Sequence, residues 1–263
     1  MKTKLFSALA AVSLFALSLA ALPAAAQEWG NLKGRVVYGG EKPAVMFETI
    51  SADKEFCSPH KPVNESIVVG DGNGLANVVV FLYVATGGKA PAVHPSYEET
   101  AKAVVEMNNE KCRFEPHVVL LRTTQTLALG NKDTVGHNSK VDTFSTPSIN
   151  PIIPAGGVYE HSLPAEERLP ARVSCSIHPW MRGWIVVKES PYMAVTNEKG
   201  EFEIANLPVG SLTFQFWQET AGYLDKVQVD GKDTAWARGR VDVEIKPGDN
   251  DLGTITVPAA EFK

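Results

Sequence analysis

The sequence predicts an all-β fold built of sandwiches or partly open barrels. Short runs rich in β-branched residues recur at 34–38, 77–84, 117–122, 184–187, 201–204, 212–217, 241–245 and 254–257. Clusters of Gly, Pro, Asn and Asp separate these runs, which is where chain reversals between strands belong. Only 97–104 reads as helical, and no repeat with a period of 20–50 residues is evident. The chain has 263 residues, enough for one large or two modest domains. With 44% hydrophobic and 21% charged residues it has ordinary globular usage, which excludes wholesale disorder. A net charge of -5 argues against nonspecific nucleic-acid binding, which needs a basic footprint.

The first element is not part of the fold. Lys2 and Lys4 precede an apolar run over 5–22, and Pro23-Ala24-Ala25-Ala26 offers an A-x-A cleavage site before Gln27. This is the pattern of a secretory signal peptide over 1–26. An uncleaved anchor is the alternative, since the run is just long enough to span a bilayer; the Pro and the small residues favour cleavage. No cysteine follows the run, which argues against a lipoprotein anchor, and no later stretch is apolar enough to cross a membrane. Cleavage removes two lysines and no acids, leaving 237 residues with 23 basic and 30 acidic side chains, a net of -7. The expected location is the periplasm or the exterior, where disulfides persist.

The chemistry concentrates in Cys175-Ser176-Ile177-His178-Pro179-Trp180-Met181, just before the apolar strand at 184–187. A thiolate, an imidazole and a thioether within seven residues are soft or borderline ligands, suited to copper rather than magnesium or calcium. A blue-copper site needs a second imidazole. His137 is the candidate, in a turn-rich loop after a strand at 126–129, where a ligand can project over the end of a sandwich. His60 and His94 lie in Pro-flanked loops, His117 opens a strand and His161 lies in a short polar one; ordinary hydrogen-bonding roles suit all four. Taken alone, Cys175 could be a buried thiol or a disulfide partner, and Met181 a core residue.

The run Cys175–x–x–His178–x–x–Met181, continued by Arg182-Gly183, resembles the ligand loop of amicyanin-type cupredoxins. The stretch from Met107 to His137 is similar to that family's strand, Pro, strand, Asn, loop and His-Asn series, so the resemblance covers about 100–188. It implies a Greek-key β-sandwich holding one type 1 copper on His137, Cys175, His178 and Met181. It also implies that Asn138 ties the two ligand loops together through Ser176. The Pro-, Ser- and Thr-rich stretch 140–154 departs from the pattern. By the same resemblance His178 lies near the surface as the electron exit, with Pro179 and Trp180 forming a small apolar docking patch beside it.

With Cys175 assigned to copper by resemblance, Cys57 and Cys112 remain. A disulfide between them would close a loop of about 54 residues, worth roughly 3–4 kcal/mol in the chain-entropy model. A second metal site is the competing reading, because Cys57 with His60 and Cys112 with His117 could form a tetrahedral zinc site.

A second resemblance lies in the flanks. Gly34-Arg35-Val36-Val37, then Asn77-Val78-Val79-Val80-Phe81-Leu82, resemble the opening of a carboxypeptidase regulatory-like domain, a transthyretin- or Ig-like β-sandwich. The closing half resembles Val195-Thr196-Asn197-Glu198-Lys199-Gly200-Glu201-Phe202-Glu203-Ile204-Ala205-Asn206-Leu207-Pro208-Val209-Gly210, extended by Ala221-Gly222-Tyr223. The expected organisation is a signal at 1–26, a β segment at 27–100, a copper domain at 101–188 and a β-sandwich portion at 189–263. The copper domain would be inserted into a split sandwich, or the three segments would follow in series.

The implied function is outer-sphere electron transfer with a redox protein such as a c-type cytochrome or a periplasmic dehydrogenase. Copper storage, or a surface β-sandwich with structural copper, is the alternative. No Ser–His–Asp signature, paired acid motif or phosphate loop stands out, and four ligands leave no open position for a substrate, so an enzyme is not expected.

Overall fold

A computed structural model describes residues 27–262; the expected signal peptide lies outside the described residues. The fold is all-β, as the strand pattern predicts. In chain order the strands are β1 (Trp29–Gly39), β2 (Val79–Leu82), β3 (Val104–Glu110), β4 (Arg113–Glu115), β5 (Val118–Arg122), β6 (Thr126–Asn131) and β7 (His137–Asn138). They continue with β8 (Lys140–Asp142), β9 (Ile152–Ile153), β10 (Val158–Ser162), β11 (Ala171–Ser174), β12 (Arg182–Lys188), β13 (Met193–Val195) and β14 (Glu201–Pro208). The last are β15 (Gly210–Gln218), β16 (Gly222–Tyr223), β17 (Lys226–Val229), β18 (Lys232–Ala235), β19 (Arg240–Ile245) and β20 (Gly248–Pro258).

Four sheets stack in two sandwiches. One sandwich joins the sheet β14-β1-β20-β17-β18 to the sheet β13-β2-β15-β16, on which β19 pairs with β15. The other joins β10-β6-β3-β4 to β5-β12-β11-β8, with the small ladder β7-β9 at one end. The first sandwich is assembled from both sides of the second in sequence. β1 lies between β14 and β20, and β2 pairs with β13 and β15. Each sandwich has its own core. Leu32, Val36, Val80, Leu82, Phe214, Phe216 and Ile255 fill the first; Met107, Phe114, Leu121, Leu129, Val173, Ile185 and Val187 fill the second.

The two sandwiches share a wall, and strand alternation explains it. In β12, Ile185 and Val187 point into the second core, while Trp184 and Val186 point out. In β2, Val80 and Leu82 point into the first core, while Val79 and Phe81 point out. The outward sets meet with Val118, Leu120 and Trp217 in a third apolar cluster. There the Trp184 and Trp217 rings stand edge to face at 5.0 Å. This is why β2 and β12 read as unbroken apolar runs rather than alternating ones.

The helix expected at 97–104 is instead a single 3₁₀ turn, Pro95–Glu98, and Val104 already begins β3. Pro95 starts the turn and the His94 side chain accepts from the Ser96 amide. Tyr97 then anchors it to the first sandwich, its hydroxyl donating to the Ala205 carbonyl and its ring against Tyr192. Anchored so early, the segment has no length left to propagate a helix.

Between β1 and β2 the chain leaves the first sandwich and straps across the second. The legs of the strap pair at its base, where the Glu48 amide donates to the Pro62 carbonyl and the Asn64 amide to Met46. Ile50, Ala52 and Phe56 pack on the second core. At the tip, a short helical turn, Lys54–Cys57, ends in a disulfide from Cys57 to Cys112, with Cα atoms 5.6 Å apart. The zinc alternative is thereby overturned: both thiols are consumed, His60 stands edge to face against Phe56, and His117 pairs with Glu219.

Candidate metal centre

Two loops at one end of the second sandwich carry the site. β7 follows the loop after β6 and presents His137, buried at 0% exposure. The segment between β11 and β12 presents Cys175 and His178, at 2% and 0% exposure. β11 and β12 pair antiparallel, so the intervening residues must turn back, and the Met181 amide closes that turn on the His178 carbonyl. Met181 is buried on the same turn and packs in the core.

The geometry brings three of the four expected ligands together. Cys175 Sγ lies 3.6 Å from His178 Nδ1 and 4.0 Å from His137 Nδ1. The three donor atoms lie within 4.8 Å of one another, the one such cluster of His, Cys, Asp and Glu among the described residues. Asn138 staples the two loops. Its side-chain oxygen accepts from the Ser176 amide at 2.8 Å and the Ile177 amide at 3.3 Å, while its amide group reaches Ser176 Oγ at 3.4 Å.

Each histidine is fixed from behind by a carboxylate. His137 Nε2 lies 2.9 Å from Asp133 Oδ2, and His178 Nε2 lies 2.8 Å from Asp53 Oδ2. A neutral imidazole that donates Nε2–H to a carboxylate turns its Nδ1 lone pair the other way, here toward Cys175. Asp133 does a second task. Lys111 and Cys112 link the hairpin β3–β4 with φ of 54° and 56°, a conformation costly for residues other than glycine. The Asp133 carboxylate accepts from both of their amides, at 2.6 and 2.9 Å.

The charges follow from these contacts. Burial pushes the Asp133 carboxyl upward, but the His137 hydrogen bond and the Cys112 and Lys111 amides bring it below its ordinary value. Burial disfavours protonated His137, but Asp133 and Cys175 raise its pKa overall. Burial opposes ionisation of Cys175 too. The polar contacts with His137 and His178 and with Asn138 outweigh it and bring the thiol down to about 6. The thiolate that a soft metal needs is therefore the favoured form at neutral pH.

The expected surface features differ. His178 is fully buried rather than exposed, because the strap sets Asp53 on its outer edge. Trp180 is 7% exposed, its Nε1 donating to the Cys112 carbonyl at 3.0 Å, so it supports the disulfide rather than a docking patch. Pro179 is exposed, with Ile177 beside it. Asp133 and Asp53 are the functional residues that sequence reasoning missed. Asp133 carries a signal, a carboxylate four residues before a candidate ligand in one loop. Asp53 carries none, being 125 residues from its partner.

No family model and no curated protein matches the chain. Solved structures do match. A copper-containing nitrite reductase from Thermus scotoductus SA-01 is 24% identical over 41% of this chain, with a TM-score of 0.30. The match spans 25% of the reductase's own length. A purple cupredoxin from Nitrosopumilus maritimus is 23% identical over 32% of this chain and 98% of its own, with a TM-score of 0.27. A reduced amicyanin mutant is 19% identical over 35% of this chain and 88% of its own, with a TM-score of 0.30.

Proposed function

We propose that the chain is an exported type 1 copper protein that serves outer-sphere electron transfer. The observation that carries the reading is the His137–Cys175–His178 cluster. Two Nδ1 atoms and one low-pKa thiol converge, and both imidazoles are held in the tautomer that a metal requires. The donor set fits copper, and Met181, buried on the same loop, is the proposed fourth ligand.

Bound copper would supply a one-electron couple between Cu(II) and Cu(I). The chain's own residues do the rest. Asn138 locks the two ligand loops to each other, so the donors keep one arrangement. Asp133 and Asp53 hold the imidazoles against rotation, and the burial of His137, Cys175 and His178 keeps water out. The proposed partner is a redox protein such as a c-type cytochrome or a periplasmic dehydrogenase. The acidity of the chain favours a basic one. The first sandwich would be the carboxypeptidase regulatory-like companion, with the copper sandwich as its guest.

The burial of His178 favours a second reading, in which copper is stored or structural. One series of measurements separates the two. Adding Cu(II) to the purified chain should give an intense thiolate-to-copper absorption that Cys175→Ser abolishes; a colourless chain that binds no copper overturns both. Fast reduction and reoxidation with a cytochrome then supports transfer, and a copper form inert to it supports storage.

A further inference from the structure

The strap is more than a clamp on the fold. It begins and ends at the first sandwich, and its tip makes two bonds at the metal end of the second: the disulfide to Cys112 and the Asp53–His178 hydrogen bond. These are not independent. Asp53 is the residue that starts the helical turn ending in Cys57, and its carbonyl accepts from the Cys57 amide at 2.8 Å. Fixing Cys57 therefore fixes the backbone that presents Asp53. On the other side of the disulfide, the Cys112 amide donates to Asp133, the carboxylate that orients His137. One cross-link thus stands between the two carboxylates that hold the two histidines.

The chain conformation at Asp53 points the same way. Its φ is 43° and its ψ 44°, a left-handed conformation that a non-glycine residue adopts at a cost. The carboxylate makes no hydrogen bond to the amides of its own helical turn, the usual role of an aspartate there. It reaches out to His178 instead. Asp53 itself is 41% exposed at the side chain, so it is the outermost group of a chain of contacts running from solvent through His178 to Cys175.

We infer that the strap and its disulfide are part of the metal site: Cys57 delivers Asp53 as a positioning residue onto His178, Cys112 does the same for Asp133 and His137, and the strap tip governs access to the ligand cluster. Its bearing on electron exchange rests on the copper reading; the positioning itself does not. A redox partner would then meet the Asp53 carboxylate rather than a bare imidazole edge.

The test uses the full chain, first without metal. Native alkylation of Cys175 by iodoacetamide reads access, and imidazole nitrogen chemical shifts read the tautomer of each histidine. In Asp53→Ala, alkylation should be about tenfold faster, the scale of one lost charge-assisted hydrogen bond. The single Nε2–H form of His178 should be lost while that of His137 is kept. Asp53→Asn keeps an oxygen acceptor for Nε2–H and should restore most of both. The double variant Cys57→Ser/Cys112→Ser should disturb both histidines; if it fails to fold, the Asp53 pair alone decides. Wild-type alkylation and an unchanged His178 tautomer in Asp53→Ala overturn the proposal. In the copper-loaded chain, ascorbate should reduce Asp53→Ala about tenfold faster than wild type, with Asp53→Asn controlling for charge. Equal rates overturn the claim about access. A wild-type chain that binds no copper overturns the proposed function and leaves the metal-free result standing.

Discussion

Replacing Asp133 by Ala removes one carboxylate and three hydrogen bonds. Two come from the Lys111 and Cys112 amides and one from His137 Nε2. The consequences differ by exposure. Lys111 is exposed, so water can take over its amide at small cost. Cys112 is fully buried, and its orphaned amide carries the desolvation penalty of about 1–3 kcal/mol. The two left-handed residues of the hairpin also lose the acceptor that offsets their strain, roughly another 1 kcal/mol. The expected loss is about 3 kcal/mol of unfolding free energy at neutral pH. Urea unfolding of the metal-free chain, followed by tryptophan fluorescence, measures it. The acid dependence gives a sign that packing alone would not. Asp133 titrates lower in the folded chain than in the unfolded one. Its contribution is therefore complete above the unfolded carboxyl value of about 3.9 and fades as pH falls through the folded value. The gap between wild type and variant should shrink in acid. A loss under about 0.5 kcal/mol, within the range of an ordinary surface change, would refute the reasoning.

Further expectations concern other parts of the molecule. In the metal-free chain the Cys175 thiol should ionise around pH 6, seen as thiolate absorbance; the stability it contributes is full above the free-thiol value of about 8.5 and falls away as pH drops through about 6. Glu219→Ala should cost about 2–4 kcal/mol, because it strips His117 and the Trp184 indole of one shared buried acceptor, and urea unfolding checks it. Burial lowers the His117 pKa but Glu219 and Glu65 raise it overall, so its contribution is full below about 6.5 and lost as pH rises through the folded value. Glu219→Gln should flatten that alkaline loss in unfolding at several pH values. Gly200→Ala should cost several kcal/mol, about 3 or more, in the same assay. An added Cβ there would stand 1.9 Å from the Val36 carbonyl, at a φ of 78° that side chains resist.

The sequence exposed what local pattern encodes. The run 212–217 lies inside β15 and 254–257 inside β20, because the alternation of apolar with polar residues is a property of neighbours along the chain. Cys175 and His178 were legible for the same reason, being spaced within one loop. The burial of His178 was not, because it depends on Asp53, which folding brings from 125 residues away. β17 and β18 carry a weaker signal, because Lys226–Val229 alternates over only four residues and Lys232–Ala235 has a single apolar one, so their register comes from pairing with each other toward the sheet edge. The helix expected at 97–104 failed because Tyr97 serves a tertiary contact that local propensity does not register.

The wall shared by the two cores has a mechanical consequence. Trp184 and Val186 on one side, with Phe81 and Trp217 on the other, leave no solvent layer along which the sandwiches could slide. β12 runs from the ligand loop directly into that wall. The molecule should therefore tumble in solution as a single body, with one rotational correlation time and no swinging arm. In the proposed role, a redox partner would find the metal end at a fixed bearing from the first sandwich, whose outer surface would offer a second foothold of constant geometry.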